Sequence, residues 1–133
     1  MSRVLHPVLT PDERRRLVRQ GVDCFNRGEH FDAHELWEEV WRSNLPEPRT
    51  LLQGLIQVAA GMHQFLDLHR EIGPRRTLAK AAAHLEPYAP TALGLDVAGV
   101  LASVRQWREW LETGTGERPP LPELRVVARE AVG

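Results

Sequence analysis

A single cysteine, Cys24, stands among the 133 residues. That excludes an intramolecular disulfide and any zinc cluster built on several cysteines. Set beside Phe25 in an apolar pattern, Cys24 reads as a buried structural thiol rather than a nucleophile. Long apolar runs are also missing: nothing approaches the ~20 residues with which a helix spans a bilayer, so no membrane partner is expected. The opening residues, Met-Ser-Arg-Val-Leu-His-Pro, lack an apolar block ahead of a small-residue cleavage site, and the expected location is cytoplasmic. Charge of one sign is scarce. Seventeen basic residues against 18 acidic leave a formal charge of -1, which removes the electrostatic footprint of a nucleic-acid binder. The runs Arg14-Arg15-Arg16 and Arg75-Arg76 read as solvated helix faces, with no aromatic interleaved for base stacking. Low-complexity segments and true repeats are absent.

What remains is the composition of an ordinary soluble globular chain, 42% hydrophobic and 26% charged. Its length fits one domain over 1–133, with a core over 11–113 and a tail over 114–133, enough to bury roughly two-thirds of the surface its unfolded form exposes.

Helical periodicity accounts for about two-thirds of the chain. Thr10-Pro11-Asp12-Glu13 is a capping box with proline in the first turn, so a first helix starts near residue 11 and ends at Gly28. Leu17, Val18, Gly21, Val22 and Phe25 form its apolar stripe. A second helix follows from about His30 to Ser43, and so short a connection makes the two antiparallel neighbours. A third, from about Arg49 to His69, is apolar nearly all round and belongs in the centre. Gly54 and Gly61 lower its helix propensity, which implies close approach by a neighbour. Gly73-Pro74 opens a fourth helix rich in alanine, and Asp96 caps a fifth that runs to Gly114. The fold class is therefore all-α, an antiparallel array of about five helices around the third. The tail, with Pro119, Pro120 and Pro122, starts extended. It is expected to lie across the bundle, with a short turn near Val126 to Ala131.

Phe25 to Trp41 is the densest stretch. On the second helix Ala33, Leu36, Trp37, Val40 and Trp41 share an apolar arc. His34 and Glu38, four residues apart, fall at its edge, while Glu35 and Glu39 point to solvent. On the third helix Gln53, Gln57 and Gln64 form one polar stripe, odd on so apolar a helix. The economical arrangement sets His34 and Glu38 against Gln53 and Gln57, since a buried polar group left unsatisfied costs ~1–3 kcal/mol. His63 either extends that network or packs as a core histidine. The Trp37/Trp41 and Trp107/Trp110 pairs read as core and rim packing. The turn around Gly28 and Ala33, with Phe25 and Phe31, resembles that of a tetratricopeptide unit, but no second copy follows at the ~34-residue period such arrays need.

Two motifs go further. Phe25-Asn26-x-Gly28-x-x-Phe31-x-Ala33-His34-Glu35-x-x-Glu38-x-x-Trp41, then Leu52-Gln53-Gly54-Leu55-Ile56-Gln57-Val58-Ala59-Ala60 with His63, resemble the domain of unknown function 309 family over about residues 14 to 105, Gly94-Leu95-Asp96 included. The resemblance implies a small all-helical bundle of bacteria and archaea, and no established activity. It singles out Gly28, His34, Glu35, Glu38, Trp41, Gln53, Gly54 and Gln57.

The function expected is that of a non-catalytic binding or structural protein with a polar network of His34, Glu38, Gln53, Gln57 and His63. The alternative is a small hydrolase-like enzyme using His34 and Glu38 between helices two and three, with Glu35 a third catalytic candidate. No cofactor is expected. In a metal-assisted version Glu35 and His63 would join as ligands, yet His34-Glu35 shares only two letters with the zinc signature His-Glu-x-x-His. An apolar face around Trp110 on the fifth helix would suit a homodimer.

Overall fold

The computed structural model describes residues 8–43 and 47–127. Helix α1 (Pro11–Asn26) begins on its capping box: the Thr10 hydroxyl accepts from the Glu13 N–H at 3.1 Å, and the Glu13 carboxylate accepts from the Thr10 N–H at 2.8 Å. Gly28 turns the chain with φ of 82°, a left-handed value that only glycine adopts without strain, and α2 (His30–Arg42) starts two residues later. Helices α3 (Arg49–Leu66) and α4 (Ile72–Leu85) follow. The Asp96 carboxylate accepts from the Gly99 N–H at 2.9 Å and so caps α5 (Val97–Thr113). The class is all-α, with five helices standing where the periodicity puts them. None of the described helices is long and apolar enough to cross a membrane.

Each helix packs on the next, and α3 lies between α2 and α4. Leu51, Leu52, Leu55, Val58, Ala59 and Met62 of α3 are fully buried there. The two glycines of α3 serve α4. A methyl at Gly54 would fall 2.8 Å from Cδ2 of Leu85, and one at Gly61 2.8 Å from Cδ2 of Leu78, so any larger residue would push α4 away.

Between α4 and α5 lies structure that periodicity does not announce. A 3-10 turn, Glu86–Tyr88, leads into a two-residue antiparallel ladder of β1 (Thr91–Ala92) and β2 (Leu95–Asp96). Leu93 and Gly94 connect the strands with φ of 52° and 69°, the two positive values of a type I′ hairpin. Leucine is an unusual first residue for such a turn, which hides it in the sequence.

After α5 the chain returns along the bundle. The Trp107 indole donates to the Pro120 carbonyl at 2.8 Å, and Trp110 donates to Gly116 at 3.2 Å. Asn26, at the end of α1, grips Leu124 by both backbone groups, donating at 3.0 Å and accepting at 2.8 Å, while the Leu124 side chain is fully buried. Val126 bridges Leu95. The turn anticipated near Val126 to Ala131 lies mostly outside the described residues. Trp110, the centre of the face suited to a homodimer, stands edge-on to Phe65 and Trp107 at 5.7 and 5.6 Å and is half-buried within the chain.

Candidate functional site

Trp37 and Ala33 anchor α2 in the core with no exposed surface. That fixes the rotation of the helix and leaves His34 and Glu38 at its edge, their side chains 23% and 22% exposed. Nε2 of His34 lies 3.1 Å from Glu38 Oε2, and its Nδ1 lies 3.2 Å from Glu35 Oε1. Glu38 is held in turn by Arg42. Glu35 is exposed, as its place on the wheel requires, yet its carboxylate folds back onto His34. Its exposure and its link to the histidine are thus compatible. Both ring nitrogens of His34 face carboxylates, which only accept. The neutral ring has one N–H for the two of them, and the imidazolium has one for each.

The anticipated partners across the interface are placed differently. Gln57 Oε1 lies 2.6 Å from Nδ1 of His84 on α4, and Gln64 Oε1 accepts from Thr77 of α4 at 3.0 Å. The glutamine stripe, with half-buried Gln53 on it, flanks the glycines that receive Leu85 and Leu78. Gln57 and Gln64 therefore serve the α3–α4 contact, and among the described residues no hydrogen bond joins His34 or Glu38 to Gln53 or Gln57. What α3 offers α2 is His63. Its ring centroid is 5.1 Å from that of Phe31, and the Phe31 ring also stacks on His34 at 6.3 Å with 18° between planes. Nδ1 of His63 donates to Asp67 Oδ2 at 2.6 Å, and its Nε2 has no partner among the described residues.

These rings border an open pocket of about 200 Å³. Phe31 and His34 form its α2 wall; Ala60, His63 and Gln64 form the α3 wall. Leu68 and Arg70, from the turn after α3, close the end. Phe31 and Leu68 are 50% and 45% exposed, large apolar side chains open to solvent at one place. Among the described residues no three His, Cys, Asp or Glu side chains are grouped as a metal ion would require.

His30 is a further residue of note, and helical spacing marks it: it precedes Ala33 and Trp37 by three and seven positions, on the buried arc. It is 1% exposed, its Nε2 has no partner among the described residues, and the Phe25 ring lies 5.4 Å away in a T-shaped contact. Burial pulls its imidazole below the ordinary value; the Asp67 charge opposes this and His63 adds to it. Cys24, expected to be buried, is only half-buried, at the edge of the α1 stripe; partial desolvation still pushes its thiol up.

Fold and site together define a small helical array with an open, histidine-lined pocket at one helix interface. Residues 18–75 match the sequence model of the DUF309 family, described as a domain of unknown function, the same family that the two motifs resemble. The match runs from within α1 to the start of α4, so it contains Phe31, His34, Glu35, Glu38, His63, Asp67 and Arg70; Gly94-Leu95-Asp96 falls outside it. No curated protein matches the chain.

Proposed function

We propose that this protein is a non-catalytic binding protein whose ligand site is the pocket between α2 and α3. The observation that carries the reading is the state of His34: it lines the pocket, yet carboxylates cover both of its ring nitrogens. A group that exchanges protons with a substrate needs a nitrogen within hydrogen-bond reach of it. In this geometry His34 turns both nitrogens to Glu35 and Glu38, which supports a role in holding the wall in shape. The exposed faces of Phe31 and Leu68 supply what a binding site needs, apolar surface beside a few polar groups.

The enzyme reading keeps one support, and it shifts the chemistry away from His34 and Glu38. His63, oriented by Asp67 and with no partner at Nε2 among the described residues, is the histidine placed to act as a base. One experiment separates the two. Small neutral and charged fragments are mapped by amide chemical shifts on the 15N-labelled protein, and ester and phosphate-ester turnover is compared between wild type and His63→Ala. Binding predicts saturable shifts clustered at Phe31, His63 and Gln64, with turnover identical in both proteins. Turnover that disappears in His63→Ala would replace this reading with the enzyme.

A further inference from the structure

Resting on the pocket being a binding site, we infer that its ligand is a small organic acid. Its flat apolar body covers Phe31 and Leu68, and its carboxylate is held by Arg70 and Gln64. The argument is an inventory of which polar groups around the pocket are already spent. The acids that touch its histidines are engaged: Glu35 and Glu38 lie on His34, Glu38 also takes Arg42, and Asp67 takes His63. Two of the groups that line the pocket itself keep donors to spare. Arg70 forms no ion pair among the described residues, and its guanidinium carries five N–H groups in a fork that fits a carboxylate. Gln64 has its Oε1 occupied by the Thr77 hydroxyl, which leaves the two N–H donors of its amide.

A ligand with a positive charge would meet the Arg70 guanidinium. A phosphate dianion would find one unpaired cation and leave the apolar walls in water. The wall geometry favours a planar body instead: Phe31 stands beside two imidazoles, nearly parallel to one of them, with its ring half exposed. Aromatic groups pack on such a ring in offset-stacked or edge-on arrangements. A pocket of about 200 Å³, open on one side, suits a ligand of one ring.

Sodium benzoate tests this against benzyl alcohol, benzylamine and inorganic phosphate, each titrated into the 15N-labelled full chain. Benzoate is expected to give saturable shifts around Phe31, Gln64 and Arg70, with benzyl alcohol and benzylamine roughly tenfold weaker or more, the worth of a charge-assisted contact. Arg70→Gln should weaken benzoate by a similar factor at unchanged melting temperature and leave benzyl alcohol unaffected. Phe31→Ala should weaken both. Benzyl alcohol or benzylamine binding as tightly as benzoate would overturn the acid and keep the binding site. Phosphate matching benzoate at the same amides would overturn the apolar body. Silence from all four at these amides would overturn the acid, and a fragment of another kind seated there would keep the site itself.

Discussion

The Trp37 indole lies flat over Gly21, the one position of its α1 stripe that carries no side chain. A methyl at Gly21 would come 2.6 Å from Cδ1 of Trp37, and the indole N–H donates to the Val18 carbonyl at 3.0 Å. This contact sets the rotation of α2, and with it the direction in which His34 points. Gly21→Ala gains helix propensity but overpacks the interface, and the steric effect is the larger. The substitution is expected to cost about 1–3 kcal/mol, read from the urea midpoint at constant slope. An unchanged or raised midpoint would mean the helices have room to shift.

The pairing of Gln57 with His84 predicts where energetic coupling lies. A double-mutant cycle of Gln57→Ala and His84→Ala should give an interaction energy of about 0.5–1.5 kcal/mol. The cycle of Gln57→Ala with Glu38→Ala should be additive. Coupling in the second cycle and none in the first would restore a shared network between α2 and α3.

His30 predicts a stability that falls with acid. Burial lowers its folded pKa, so between that value and the unfolded one near ~6.5 the unfolded chain binds the extra proton, and stability rises with pH across that window. Below the folded value the penalty is complete. The melting temperature of wild type should therefore drop between pH 7.5 and pH 5 by more than that of His30→Phe, which keeps a ring in the cavity and cannot titrate. Equal drops in the two proteins would assign the acid sensitivity to other groups.

The two hydrogen bonds from Asn26 predict that the tail is fastened at Leu124. Asn26→Ala should cost about 1–3 kcal/mol and speed amide exchange at Leu124 and Asp96, whose N–H donates to the neighbouring Arg125 carbonyl at 2.9 Å. Exchange unchanged at both amides would show that burial of the Leu124 side chain holds the tail unaided.

Much of the fold is legible in the chain because it rests on local chemistry. Thr10-Pro11-Asp12-Glu13, Gly28, Asp96 and Gly114 act on residues three or four positions away, and their roles follow from spacing alone. The Leu93-Gly94 hairpin escapes such a reading, since its turn tolerates a leucine and its strands have two residues each. The site is only half legible. Helical angles say that Gln53, Gln57 and Gln64 share a face, but not which neighbour that face meets. α4 is admitted by Gly54 and Gly61, and Gln57 and Gln64 go with it. The His34–Glu38 pair is local and visible. Bringing Phe31, His63, Leu68 and Arg70 around one space requires the docking of α2 on α3 and the turn beyond it, which no spacing encodes.

On the proposed reading, the α2–α3 pocket receives a ligand on its exposed aromatic wall. Intermolecular nuclear Overhauser contacts between benzoate ring protons and the protein test it most directly. Contacts to the Phe31 ring and the Leu68 methyls are expected, and their loss in Phe31→Ala. Contacts confined to another surface, with benzoate bound, would contradict it.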